Sequence, residues 1–262
     1  MDDVYAPPTA PLRVLHDDHQ ILLVDKPAGL LSVPGKGPDL ADCLLARVQV
    51  AFPKPPKMVN IAGAYLSSLG VKQFRCAETE KFPHVTFFFN DYRDEPFDGE
   101  RREIIQSPKV ATYDMQPEMS APQIADELVK AIESGKYSFI VTNFANADMV
   151  GHTADRDAIV SSVESLDRES HRVFEVALEN DWRIMLTADH GNCDEIVDPN
   201  TGGPHTQHTV YPVPFLIMGE GPVKLSIGRG LADIAPTVLE LLGIPQPPAM
   251  TGRSLILKKG LL

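Results

Sequence analysis

From about residue 57 onward the chain alternates short apolar runs with amphipathic stretches, and this rhythm restricts the fold more than any other feature. Residues 72–76, 138–142, 184–187 and 213–218 read as short buried strands. Between them, 59–69 reads as a helix closed by Gly70, and 155–179 as a long amphipathic helix. Ser120 stands where an N-cap belongs, with Pro122 in the first turn of a helix that runs to about Glu133 and stops at Gly135. Residues 233–242 read as a helix ended by Gly243. Short apolar strands separated by helices join most simply as parallel strands with crossover helices. The expected fold is therefore α/β: a sandwich whose mostly parallel central sheet is flanked by helices.

The first fifty-odd residues follow another pattern. Residues 13–16 and 21–24 read as two short strands joined by the polar turn Asp17-Asp18-His19, and 40–52 as a helix with Leu44, Leu45 and Val48 on one face. Pro53-Lys54-Pro55-Pro56 can continue neither a helix nor a central strand, because proline fixes φ and lacks an N–H. The division expected is a short β-rich segment over 1–53, a linker over 54–57 and a main domain over 58–262.

The formal net charge of −12 argues against non-specific binding to nucleic acid or an anionic membrane. No apolar run approaches the roughly 20 residues of a membrane span. The acidic start Met1-Asp2-Asp3-Val4 lacks the apolar core of a secretory signal. Three cysteines, Cys43, Cys76 and Cys193, show no CxxC spacing. The expectation is a cytoplasmic, reduced protein with these thiols as small apolar fillers.

In sheets of this kind ligands gather beyond the carboxyl ends of the strands. The run after 138–142 carries Asp148 and His152, four apart and so on one face of any helix there. The run after 184–187 carries Asp189 and His190, and 213–218 is preceded by His205 and His208. Each Asp or His could serve as a cap or turn residue. Taken together, mixed carboxylate and imidazole donors suit Mn²⁺, Zn²⁺ or Fe²⁺ better than Ca²⁺. Two such ions about 3.5–4 Å apart can clamp a phosphoryl group.

Longer strings carry a resemblance. Ala77-Glu78-Thr79-Glu80-Lys81-Phe82-Pro83-His84-Val85-Thr86-Phe87-Phe88-Phe89-Asn90, Ser107-Pro108-Lys109-Val110-Ala111-Thr112-Tyr113-Asp114, Asn143-Phe144-Ala145-Asn146-Ala147-Asp148-Met149-Val150-Gly151-His152-Thr153 and Thr187-Ala188-Asp189-His190-Gly191-Asn192 resemble the cofactor-independent phosphoglycerate mutases. That family belongs to the alkaline phosphatase superfamily, and the likeness covers roughly residues 57–257. It implies two divalent ions, Mn²⁺ foremost, with at least one retained here. By matching motifs, Asp148, His152 and His208 correspond to the ligands of one ion, and Asp189 and His190 to ligands of the other. His208 is preferred over His205 because it directly precedes Thr209, which opens the Thr-x-x-Pro-Val-Pro run. Lys81 corresponds to the lysine that neutralises the phosphoserine intermediate; a solvated surface lysine is the alternative. The implied substrate is a phosphoglycerate-type small molecule, whose phosphate moves between the 3- and 2-positions.

The family's opening strand with its Asp ligand, its Gly-Asn-Ser-Glu-Val-Gly-His-like nucleophile string and its inserted transferase domain find no counterpart in these residues. The expectation is an incomplete sheet and a metal-binding domain whose missing part another polypeptide could supply. A metal-dependent phosphohydrolase and a non-catalytic metal-binding fragment stand as alternatives. Val24-Asp25-Lys26-Pro27-Ala28-Gly29-Leu30-Leu31-Ser32, with Arg13-Val14-Leu15-His16 before it, resembles the start of RluA-type RNA pseudouridine synthases. The Arg-Leu-Asp motif of that family's catalytic aspartate is not found, so an RNA-modifying fusion ranks last.

Overall fold

The computed structural model describes residues 13–17, 22–25, 62–199, 201–248 and 250–257, with Thr9 and Arg47. Two compact units, Met1–Val59 and Asn60–Leu262, divide the chain. In the first, β1 (Arg13–Asp17) pairs antiparallel with β2 (Leu22–Asp25), and the register shifts between Val14 and His16. These are the two strands expected there. The proline cluster lies outside the described residues, as does all of the expected helix over 40–52 except Arg47.

The second unit is built on one strand. After α1 (Ala62–Ser68), β3 (Gln73–Glu78) is buried at all six positions. It lies between β4 (Glu100–Ile105) and β5 (Phe139–Asn143) and runs parallel to both. The turn after β3 holds α2 (Phe82–Val85). One face of β3 presents Phe74 and Cys76 to Ile124, Leu128 and Ala131 of α3 (Ala121–Glu133), forming a core cluster. The other face is polar. Gln73 Nε2 donates to the Gly63 carbonyl at 2.9 Å, and Arg75 stacks on the Phe89 ring at 4.0 Å. Burial pulls the Arg75 guanidinium down to about 10, opposed by the nearby Glu100 carboxylate.

After β5 come α4 (Asn146–Gly151) and α5 (Arg156–Glu179), which packs along α3. Asp155 caps α5, accepting from Ala158 N at 2.9 Å. Small buried residues on α5, Ala158, Ser162 and Ser165, allow close approach. Arg172 ties the two helices together, donating to Asp126 Oδ1 at 2.6 Å and to the Pro122 carbonyl at 2.9 Å. The chain then enters β6 (Ile184–Thr187), which pairs antiparallel with β7 (Phe215–Met218). A small pair, β8 (Lys224–Leu225) with β9 (Ile256–Leu257), and α6 (Ile234–Leu241) complete the unit.

Helices flank a parallel ladder, as the alternation predicts. The ladder holds three strands, however, and β6 pairs with β7 in a separate two-stranded sheet. At Ser120 the side chain does not cap α3; its Oγ donates to the Gln106 carbonyl at 2.8 Å. The buried Glu78 carboxylate takes the end of the helix instead, accepting from Ser120 N at 3.4 Å and from Ser107 Oγ at 2.9 Å.

The α3–β3 contact is the part of this unit where truncation costs most. Leu128 is 1 % exposed within that cluster. Leu128→Ala is expected to cost about 2–5 kcal/mol, read as a lower urea midpoint at unchanged slope.

Candidate metal centre

Three segments converge where strands end. Five residues after β5, Asp148 sits in the first turn of α4, and His152 follows as the helix C-cap. One helical turn aligns the two, with His152 N donating to the Asp148 carbonyl at 3.2 Å. Two residues after β6 come Asp189 and His190. Among the contacts that draw in the third segment is a bridge between Gly191 and Thr209, in which Thr209 N donates to the Gly191 carbonyl at 2.9 Å. A Cβ on residue 191 would lie 2.2 Å from Thr209 Oγ1, so a larger residue there would have to push that hydroxyl aside.

The donor atoms form a nearly equilateral triangle. Asp148 Oδ1 lies 3.1 Å from His152 Nε2 and 3.1 Å from His208 Nε2, and the two nitrogens are 3.2 Å apart. Bonds of about 2.0–2.1 Å to a small divalent ion at ordinary angles need donors roughly 3.0–3.4 Å apart. The triangle meets that requirement. His152 Nδ1 lies 2.7 Å from the Thr206 carbonyl, which can only accept. Nδ1 therefore carries a proton, and Nε2 is the ring nitrogen that faces the centre.

His190 stacks on His208, with ring centroids 3.7 Å apart, and its Nε2 is 4.0 Å from Asp148 Oδ1. Asp189 Oδ1 is 3.7 Å from the same His190 nitrogen, on a half-exposed side chain. These two residues thus flank the triangle without joining it. His205 Nδ1 instead lies 3.1 Å from the Glu195 carbonyl. Lys81, in the turn after β3, is 4 % exposed and is no solvated surface lysine; its Nζ donates to Asp148 Oδ2.

Burial raises the Asp148 carboxyl, but hydrogen bonds from Lys81 and Asn192 and the charge of Lys81 outweigh it and hold the group at about 2. Burial pushes the Cys193 thiol up to about 11 and the Cys76 thiol up to about 12, so both stay protonated fillers. Cys43 lies outside the described residues. An open cleft of about 550 Å³ borders the triangle at His152, lined also by Thr112, Tyr113, Asp114, Met149 and Thr153. Spacing alone missed both this cleft and Asn192, although Asn192 and all of the cleft's lining but Asp155 fall within the strings that carried the resemblance.

A family model described as the metalloenzyme superfamily matches residues 20–246. The chain belongs to that superfamily. The match begins inside the stretch that resembles the pseudouridine synthases. Among curated relatives, the 2,3-bisphosphoglycerate-independent phosphoglycerate mutase of Rhodopirellula baltica is 52% identical over 212 residues, covering 80% of this chain and 39% of the relative. That of Cereibacter sphaeroides is 55% identical over 207 residues, covering 79% and 40%. A crystal structure of Leishmania mexicana phosphoglycerate mutase at low cobalt concentration superposes with a TM-score of 0.68 at 33% identity, covering 74% of this chain and 38% of that one. The superfamily fold is thus alkaline-phosphatase-like, and the chain spans about two-fifths of the length of the relatives it matches. Among the described residues no helix is long and apolar enough to cross a membrane.

The depressed Asp148 carboxyl links stability to pH. Its folded value of about 2 lies below the ordinary 3.8, so its contribution is present above about pH 4 and is lost as pH falls towards 2. In the metal-free chain this is on the order of 2 kcal/mol. Asp148→Asn is expected to lower stability at pH 6 and to flatten its fall between about pH 4 and 2, measured by urea unfolding across that range.

Proposed function

We propose that this chain carries the metal-binding half of a phosphoglycerate mutase site. Asp148, His152 and His208 hold one divalent ion, and Asp189 and His190 contribute to a second. The observation that carries this reading is the triangle of one carboxylate oxygen and two imidazole nitrogens with sides of 3.1–3.2 Å. This donor set suits Mn²⁺ and its first-row neighbours. When bound, the ions would supply Lewis acidity to a phosphoryl oxygen.

The chain's own residues do the rest. Lys81 brings a buried positive charge to the edge of the centre, where it can balance charge on a phosphoryl group. His152 is held in one tautomer by the Thr206 carbonyl, so its Nε2 does not exchange roles with Nδ1. A phosphoglycerate is the substrate that the relatives' names favour.

The mutase cycle also needs a nucleophile, and the serine string of the family is not found in the 262 residues. In our reading a separate polypeptide segment supplies it, and the reaction belongs in the cytoplasm. His152 and His208 are 38% and 48% exposed, which favours a second reading in which water takes the serine's place and a phosphomonoester is hydrolysed.

The deciding experiment is Mn²⁺ calorimetry on the chelator-stripped chain beside Asp148→Ala/His152→Ala. At least about one ion per chain is expected, with binding lost in the double variant. Assays with 3-phosphoglycerate, without 2,3-bisphosphoglycerate, should show turnover only when a polypeptide bearing the serine string is added. Robust turnover by the chain alone would refute the half-site, and hydrolysis of a generic phosphomonoester would favour the second reading.

A further inference from the structure

Asp148 is held from three directions. The histidine nitrogens face Oδ1, and Lys81 holds Oδ2. The third direction belongs to Asn192. Its side-chain nitrogen donates to Asp148 Oδ1 at 2.9 Å and to the Asp148 main-chain carbonyl at 3.1 Å. Both partners can only accept, so the amide must turn its NH₂ towards them. The residue is 6 % exposed.

Its other end fits against glycine. A Cβ on residue 151 would lie 2.4 Å from Asn192 Oδ1 and 2.7 Å from its Cγ. Any larger residue at 151 would therefore displace the amide from Asp148. A carboxylate oxygen offers two lone-pair directions. At Oδ1, Asn192 takes one, which leaves the other for the position that His152 and His208 face. Asn192 also lies two residues beyond His190, in the loop that the Gly191–Thr209 bridge joins to His208. Asn192 thus ties α4 to the loop after β6, beside the Cys193 Sγ that donates to the Ala147 carbonyl at 2.7 Å.

We propose that Asn192, seated on Gly151, is a positioning residue for the metal centre: it aims Asp148 Oδ1 and locks the Asp189–His190 loop to α4. This inference rests on the reading that Asp148, His152 and His208 hold an ion. Partners of this kind behind a metal ligand typically govern 10–100-fold in affinity.

The test uses the full chain, stripped of metal, with Asn192→Ala and Gly151→Ala as variants. Leu128→Ala, remote in the α3–β3 core, serves as a control for destabilisation alone. Mn²⁺ affinity is measured by calorimetry, the visible spectrum of the Co²⁺-loaded chain reports coordination geometry, and thermal melting is followed without metal. Both site variants are expected to bind about 10–100-fold more weakly with an altered Co²⁺ spectrum, while Leu128→Ala melts earlier but keeps the spectrum and affinity of the unchanged chain. Should Asn192→Ala fail to fold, Gly151→Ala decides alone. Affinity within about twofold of the unchanged chain, or a loss no greater than the control shows, would overturn the proposal. No Mn²⁺ binding by the unchanged chain would refute the metal reading itself, and the inference with it.

Discussion

Taking a carboxylate out of water costs several kcal/mol unless donors and positive charge surround it. The Asp148 side chain is 14% exposed, and the chain meets that cost from distant points in sequence. Lys81 comes from the turn after β3, and Asn192 from the loop after β6. The burial that makes Asp148 expensive also strengthens each of these contacts. Removing either donor leaves an under-satisfied anion, so the segments around it are mutually dependent.

The sheet explains why such distant residues can meet. β3 runs parallel to β5, so both strands end on the same side, and their following turns deliver Lys81 and Asp148 to one place. α4 and α5 carry the chain away from the end of β5 and into β6. β6 then carries its own carboxyl end back to the centre. The interior of the unit therefore acts as a scaffold, and the chemistry sits on the rim.

Much of this was legible in the sequence because apolar periodicity follows burial. The strand at 184–187 and the α5 helix starting after Asp155 emerged nearly where they were read. β4 did not, because it lies at the edge of its sheet and four of its six residues are charged: Glu100, Arg101, Arg102 and Glu103. The side chain of its Glu100 is buried, held by Arg102 at 2.6 Å and Asn90 at 2.8 Å, a pairing that alternation of apolar residues cannot signal. α2 and α4 span only 4 and 6 residues, too short for propensity to declare them; tertiary contacts hold them. The candidate ligands were legible as residue types at strand ends, whereas their grouping came from the resemblance. Asn192 escaped because an amide beside a metal ligand has no spacing signature of its own.

The ring of His152 is fixed by the Thr206 carbonyl rather than by anything the centre might hold. Asp148 is likewise oriented by groups that belong to the protein. A site arranged this way differs from small domains in which the ion itself drives folding. An ion entering such a site would find its ligands already aimed and would not have to order the chain around itself. Its occupancy would then follow the free ion concentration at each moment, with no record of what was available when the chain was synthesised.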